Sequence, residues 1–411
     1  MGGFVAEIHE KTEFTRMEKL IVLVAAAIGW SHDAVGLTLL NFLAEPIMEE
    51  FNVGTLEIGF IFSAQYIFCI FGAMLFGELG DRFGRKNALI LSILWVAVFS
   101  VLSAFAPNFW TLAVLRIISG MGVTWGLAFT YMSEFYSPKR RGLFGGLIHA
   151  TFIFGFILSA LSVSLIYPVY GWRACFFITL YPIPFLILFA KYLPESRIWK
   201  KHSKEVGKSL RLGEIVRNRI YLKLMILATF LFWLAEFAYH TIVDWSPTFI
   251  IREFGYSPEE ASITVMKISL VALVVLPFVG FISDYVGRRI SFAVSAAFGL
   301  AGSILLGYFT LINYNQQLAL LSLFIIPVGF GSHALFGVWS SEMFPTRIRA
   351  TATSVIFSVA RGLSVGGLIV GYVATFASLL AGMLLGGIAF LLMILLPWLL
   401  PETRGKDLEE F

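Results

Sequence analysis

Five ionisable residues stand inside long apolar stretches of this sequence: Asp33, Arg116, Glu236, Lys267 and Arg361. A charge facing lipid at the centre of a bilayer costs about 2.5–3.5 kcal/mol, so such groups are expected to face an internal cavity and to pair. Helix rise suggests the partners. Asp33 lies 13 residues into its stretch and Arg116 six into one running the other way, about 20 Å and about 9 Å from opposite faces of a core about 30 Å thick. The same arithmetic brings Glu236 level with Lys267. A carboxylate that exchanges its cationic partner for a proton couples solute movement to a proton gradient. Asp33–Arg116 and Glu236–Lys267 are therefore the candidate proton-coupling pairs, against the alternative of static ion pairs that hold helices together. Arg361 is left as a surplus cation, suited to bidentate binding of a substrate carboxylate. An organic anion is thus the expected solute. Trp125, Phe129, Trp233, Tyr239, His240, His333 and Trp339 are candidate substrate contacts, although aromatic residues in membrane helices more often pack or anchor at the interface. His32 and His149 are weaker candidates, His149 being placed near one end of its span.

These residues need helices to hold them. Hydrophobic residues make up 58% of the 411 and charged residues 14%, against about a quarter charged in a soluble protein, which reads as a membrane protein. Stretches long enough to span run at roughly Leu20–Leu43, Ile58–Leu79, Asn87–Ala106, Trp110–Phe135, Leu143–Tyr167 and Arg173–Leu193. Six more run at roughly Tyr221–Trp245, Ala261–Ser283, Ile290–Leu311, Gln317–Met343, Ala350–Tyr372 and Phe376–Leu400. The last two are the least cleanly separated, and a count of eleven would put the two ends of the chain on opposite faces. Cys69 and Cys175 both fall in apolar stretches, so a disulfide framework is not expected. The polar start followed by a full-length span argues against a cleavable signal peptide.

Basic loops (Asp81-Arg82-Phe83-Gly84-Arg85-Lys86, Lys139-Arg140-Arg141, the segment from Arg197 to Lys223, Arg288-Arg289, Arg347 and Arg349) alternate with acidic or uncharged ones. The first of the latter carries Glu45, Glu49, Glu50 and Glu57. By the positive-inside rule both termini and the central loop are expected to be cytoplasmic, in a plasma-membrane protein. The basic run lacks aromatic interleaving and lies between spans, so a nucleic-acid partner is not expected.

The sequence repeats. Gly77-Glu78-Leu79-Gly80-Asp81-Arg82-Phe83-Gly84-Arg85-Lys86 returns as Gly280-Phe281-Ile282-Ser283-Asp284-Tyr285-Val286-Gly287-Arg288-Arg289, an offset of 203. Ser133-Glu134-Phe135 with Arg141 returns as Ser341-Glu342-Met343 with Arg349, and Pro194-Glu195-Ser196-Arg197 as Pro401-Glu402-Thr403-Arg404. Asp33 and Trp30 map onto Glu236 and Trp233 at the same 203 offset. A parallel duplication follows: a six-helix bundle over 1–193, a basic linker over 194–220 and a second bundle over 221–411. Gly77 and Gly84 suit a tight turn and close helix approach. Asp81, Arg82, Arg85, Glu134 and Arg141, with Glu195 in reach, are expected to form a cytoplasmic gate made in one state and broken in the other. Asp284, Arg288, Glu342, Arg349 and Glu402 would duplicate it. The plainer alternative is that these charges only set topology.

The Gly-x-Leu-x-Asp-Arg-x-Gly-Arg-Lys loop resembles that of the major facilitator superfamily. Glu134…Arg141, Pro194-Glu195-Ser196 and Pro401-Glu402-Thr403-Arg404-Gly405-Lys406 resemble its sugar-porter and organic-ion branch. The resemblance covers essentially the whole chain. It implies an all-α fold of twelve transmembrane helices in two six-helix repeated bundles around a central cavity, working by alternating access. Sugar porters carry an Asp in span one and an Arg in span four before a glycine series, here Arg116-Ile117-Ile118-Ser119-Gly120-Met121-Gly122, which supports proton symport. Arg349-Ala350-Thr351-Ala352-Thr353 with Ala360-Arg361-Gly362 resembles the organic-acid branch, transporters of monocarboxylates, aromatic acids and sialate. Asp33-Ala34-Val35-Gly36 resembles that branch's Asp-x-x-Asp with Gly36 in place of the second Asp. A hexose or pentose symporter is the alternative. Aligned on Trp245-Ser246-Pro247, however, the amide residues of hexose porters become Leu234, Ala235 and His240. A nutrient sensor on the same fold is the second alternative. No nucleotide loop, metal-ligand cluster or nucleophile–base motif stands out, so no catalytic residue, metal or cofactor is expected. The expected partners are a small solute, protons and the lipid bilayer, with the monomer as the working unit.

Overall fold

In lipid a backbone without water must satisfy its own polar groups, and apolar stretches of this length do so as helices. A computed structural model describes residues 15–122, 141–195 and 212–404, without the side chains of Asp81, 141–148, 212–214, 346–347 and 350.

Twelve spans are represented among the described residues, numbered here by span. α1 (Arg16–Phe51) opens on a capping box between Thr15 and Glu18 and stops at Asn52, the one described non-glycine residue with positive φ. α2 (Thr55–Phe83), α3 (Arg85–Ser103) and α4 follow; Phe109–Gly120 of α4 is capped by Asn108. α5 (Arg141–Cys175) breaks at Gly171, φ 74°, so its tail already belongs to the next span. That span continues through the 3₁₀ turn Phe176–Leu180 into α6 (Ile183–Tyr192). The second set comprises α7 (Arg219–Ile242), extended by Ser246–Phe254, α8 (Pro258–Val286) and α9 (Arg288–Gly307). α10 begins as Gln316–Gly329, tightens to 3₁₀ geometry over Phe330–Leu335 and resumes as Phe336–Glu342. α11 is Thr346–Gly362 and, after a break, Gly366–Val373. α12 starts at Leu379 under a Ser378 cap and runs over Leu379–Met383 and Leu385–Leu395. That cap and the turn before it separate the last two spans.

Within the first set α1 packs along α5, and within the second α9 lies along α10, while α7 contacts α11 and α12. The sets meet where α5 runs against α8 and α2 against α11. Indole and phenyl rings fill the second set, with Phe232, Phe292 and Trp339 in mutual contact and all fully buried.

Hydrogen bonds tie the two sets together at the end where α1 finishes. Asn41 donates to Asp244 at 3.0 Å, and Arg252 Nε lies 2.9 and 3.0 Å from the two Glu45 oxygens. Thr55 donates to the Gly371 carbonyl at 2.9 Å, and Ser63 Oγ accepts from the Leu368 amide at 2.9 Å. This end is sealed between the sets. The opposite end carries the basic motifs.

Candidate functional site

Between the sets lies a cavity walled by α1, α5, α7, α8, α10 and α11. It offers about 90 Å³ to the centres of water-sized molecules, room for several waters or one compact solute. Its walls are mostly apolar, and its charged groups converge from two interrupted helices and α7. Arg361 sits on the last turn before the break in α11, where the Ser364 amide closes back on the Arg361 carbonyl at 3.1 Å. His333 sits on the 3₁₀ stretch of α10, just past Pro327, whose missing N–H weakens the helix there. Broken helices at mid-depth are where a membrane protein puts irregular backbone to use.

Arg361 is 7% exposed. Its guanidinium carbon lies 5.0 Å from the Trp30 ring centre, 5.1 Å from Phe152 and 5.4 Å from Tyr66. Four rings including Phe357 at 6.0 Å surround the cation, which gives it a face of π density while its N–H fork stays available for an anion. Asp33 and Glu236 both lie within electrostatic reach of it.

A ladder of polar groups climbs α7 at i, i+4 spacing. Glu236 Oε2 is 3.5 Å from His240 Nε2, and His240 Nδ1 is 2.9 Å from Asp244 Oδ2. The other Asp244 oxygen receives the Asn41 amide of the seal. From α10, His333 Nε2 approaches Glu236 Oε1 at 3.8 Å, while its Nδ1 meets the Phe330 carbonyl at 3.1 Å. His240 is 1% exposed and its ring centre lies 4.0 Å from that of Tyr66 on α2.

The pairs drawn from depth alone are not those of the structure. Arg116 is fully buried on the inner stripe of α4, but its guanidinium is held by Ser100 Oγ at 3.0 Å and by the Gly36 carbonyl, over the Phe176 ring, rather than by Asp33. Lys267 is exposed. The buried stripe of α8 runs Val265, Ile268, Ser269, Ala272 and Leu276, and Lys267 lies off it, so depth matched while helical angle did not. A lysine on the outer face of a span can snorkel its ammonium to the interface. Of the proposed substrate contacts, Tyr239, His240, His333 and Arg361 line the cavity. Trp233 does not: its indole N–H is donated to the Leu363 carbonyl at 3.0 Å, at the α11 break. Trp339 is a packing residue, fully buried and donating to the Pro401 carbonyl at 3.0 Å. Trp125 and Phe129 lie outside the described residues. His149, placed by sequence near a span end, lines the cavity beside Trp30 and Phe152.

At the basic end Arg288 gathers the motif of the second set. It reaches Asp284 at 2.6 Å and takes Glu342 in a bidentate grip at 2.8 and 3.1 Å. Thr403 donates to the same carboxylate at 2.5 Å. Arg349 Nε donates to the Phe344 carbonyl at 3.2 Å. In the first set Arg82 pairs with Glu78 on the surface, while Glu134 and the side chains of Asp81 and Arg141 lie outside the described residues. Gly84 and Gly287 hold φ at 99° and 102°, and in both repeats a carboxylate fills the space above the glycine. Glu195 accepts from the amides of Arg85 and Lys86, and Glu402 from those of Arg288 and Arg289, capping α3 and α9 in the same way. Burial pushes the Glu402 carboxyl up, but the amides of Arg288, Arg289, Arg404 and Thr403 outweigh it and hold it below the usual carboxylate range. At Gly77 an added Cβ would meet nothing within 4 Å among the described residues, so no close helix approach is seen there.

Sequence reading passed over Asp244, Asn41, Trp30, Phe152 and the capping role of Glu195 and Glu402. Asp244 adjoins Trp245-Ser246-Pro247 at the end of the expected span Tyr221–Trp245. Its signal was the 203-residue offset from Asn41, the residue it bonds.

A polytopic helical bundle enclosing a charged cavity between two repeated sets is a solute carrier, and its chemistry is transport rather than catalysis. The chain belongs to the Major Facilitator Superfamily, whose family model matches residues 21–365. It is 25% identical over 94% of its length to the cis,cis-muconate transport protein of Acinetobacter baylyi, covering 95% of that protein. It is 24% identical to the 4-hydroxybenzoate transporter PcaK of the same organism, over 95% of this chain and 93% of that one. Among solved structures, the xylose transporter XylE from E. coli, in a partially occluded inward open conformation, superposes with a TM-score of 0.79. It is 19% identical, over 95% of this chain and all of that one, and shares the fold.

Proposed function

We propose that this transporter carries an organic anion, a carboxylate on a flat unsaturated or aromatic frame, together with a proton across the cell membrane. The observation that carries this reading is Arg361, a buried guanidinium caged by Trp30, Tyr66 and Phe152 on the cavity wall. The fork binds a carboxylate through two parallel N–H bonds, and the rings take the frame. Relatives that carry cis,cis-muconate and 4-hydroxybenzoate fit the same chemistry. The bundles over 1–193 and 221–411 rock about this site, joined by the basic linker over 194–220. Both termini and the basic end face the cytoplasm, so the sealed end is the outer one. Asp33 and Glu236 are acidic groups within electrostatic reach of Arg361, so a proton entering with the anion offsets the added negative charge, which supports symport.

The test is uptake into proteoliposomes of cis,cis-muconate, 4-hydroxybenzoate, gentisate, N-acetylneuraminate and xylose, with and without an inward proton gradient. Saturable uptake of at least one aromatic or dienoic acid, raised by the gradient and lost in Arg361→Gln, is expected. Saturable xylose uptake with no acid uptake would overturn the substrate class.

A further inference from the structure

Hydrogen-bond accounting around Glu236 leaves a proton to be placed. His240 Nδ1 faces the Asp244 carboxylate at 2.9 Å, and His333 Nδ1 faces the Phe330 carbonyl at 3.1 Å. Both partners accept, so each Nδ1 carries the hydrogen and each neutral ring presents a bare Nε2. Those two Nε2 atoms are buried, lack a hydrogen-bond partner and point at the oxygens of Glu236, 3.5 and 3.8 Å away. Two lone pairs and a carboxylate then converge with no donor among them, an arrangement that a low-dielectric site does not tolerate.

We infer that Glu236, His240 and His333 hold the transported proton between them, and that His240, through Asp244, ties its presence to the outer seal. This rests on the proton-coupled reading above and assigns that proton a site. With the proton in place an imidazolium N–H is donated to Glu236 while Nδ1–H stays on Asp244. When the proton leaves from Nε2 through Glu236 to the cavity, the Nε2 lone pair faces the carboxylate again. Turning the ring relieves that repulsion but takes Nδ1–H off Asp244. Asp244, 1% exposed, is then a buried carboxylate with the Asn41 amide as its remaining described donor. Opening the outer side rehydrates it. The next proton arrives from that side on the bare Nε2 of the turned ring, since Nδ1 already carries its hydrogen, and as the ring turns back Nδ1–H returns to Asp244 and Nε2–H to Glu236. No bond other than N–H and O–H changes.

The other titratable and charged groups facing this cluster come from each surrounding helix. They are Tyr239 on α7, Tyr66 on α2, Arg361 on α11 and His149 on α5, with Asp33 on α1 facing Arg361. Arg361 keeps its charge throughout, so it biases the cluster without switching it.

The test needs no substrate. Spin labels at Pro107→Cys and Asn313→Cys, exposed loop positions on the outer end of the two sets, report the outer opening; Cys69 and Cys175 are buried. In the full-length protein in lipid, raising pH over about pH 5 to 8, the range in which imidazole titrates, should lengthen the distance between labels. His240→Gln should abolish that response, and Asp244→Asn should stay sealed at high pH because a neutral amide needs no rehydration. A wild-type distance that ignores pH, or a wild-type response retained in both variants, overturns the inference. If His240→Gln does not give a monodisperse protein, Asp244→Asn decides by the same criterion. Gradient-driven 4-hydroxybenzoate uptake by the wild type, measured in parallel, tests the transport reading separately. It can fail while the seal still answers to pH.

Discussion

Gly287 and Gly77 belong to the two copies of the same motif, yet alanine should affect them in opposite directions. At Gly287 φ is 102° and ψ 160°, a region essentially reserved for glycine, so Gly287→Ala costs about 1–3 kcal/mol in backbone strain. The new Cβ would also stand 2.7 Å from Glu402 Oε2. That carboxylate must withdraw from the amides of Arg288 and Arg289, now 3.0 and 3.1 Å away, which open α9 and have no acceptor within the helix. Hydrogen bonds to a charged group contribute about 1.5–3 kcal/mol each, so strain plus one lost bond totals about 2.5–6 kcal/mol. Gly77 sits inside α2, where an added Cβ meets nothing within 4 Å among the described residues, and alanine there gains up to about 1 kcal/mol of helix propensity. Thermal unfolding in detergent, followed by tryptophan fluorescence, should place Gly287→Ala several degrees below the wild type and Gly77→Ala at or above it. Equal melting of Gly287→Ala and wild type would refute the capping argument, and so would an equal loss in both variants.

Two further outcomes follow from the same geometry. Lys267→Gln should leave gradient-driven uptake at the wild-type level while Glu236→Gln abolishes it, because Lys267 is exposed on α8 and Glu236 faces the cavity; equal loss in proteoliposomes would restore the Glu236–Lys267 pair. Glu402 is held below the usual carboxylate range, so its contribution to stability is full above that range and is lost as pH falls through its folded value. Melting temperature should therefore drop on acidification below the carboxylate range, and that part of the drop should be absent in Glu402→Gln.

How much of this was legible before the structure depends on which periodicity carried the information. Span count and the repeat were readable because length, loop charge and motif order are one-dimensional. The depth of a residue is also one-dimensional, which is why Asp33, Glu236 and Arg361 were found as buried charges. Pairing is not. Two side chains at one depth meet only if their helices turn them toward each other. Arg116 lies on the buried stripe of α4 but was claimed by the Gly36 carbonyl and Ser100. Lys267, one residue off the buried stripe of α8, faces outward. The i, i+4 spacing of Glu236, His240 and Asp244 was in plain view, yet Glu236 was read as a proton-coupling group, His240 as a substrate contact, and Asp244 was passed over. A helical wheel of α7 would have grouped them.

The repeat explains why the ladder ends where it does. Asn41 and Asp244 are equivalent positions of the two halves, 203 residues apart, and they bond each other directly. Equivalent residues of a duplicated structure can touch only on the axis relating the halves, so this contact marks that axis at the sealed end. At the basic end the same duplication gives matching caps, Glu195 on α3 and Glu402 on α9, each satisfied within its own half. Contacts on the axis must break when the halves rock apart on that side, whereas contacts within a half travel with it. A charge change transmitted to Asp244 therefore acts on the movement itself, but one at Glu402 acts on the stability of a bundle. Repeat-equivalent residues also diverge where the cavity needs asymmetry: Trp30 stacks over Arg361, while its counterpart Trp233 holds the broken turn of α11 from behind. On the proposed reading, the duplication would supply the hinge and the seal, and the departures from it the anion site and the proton site.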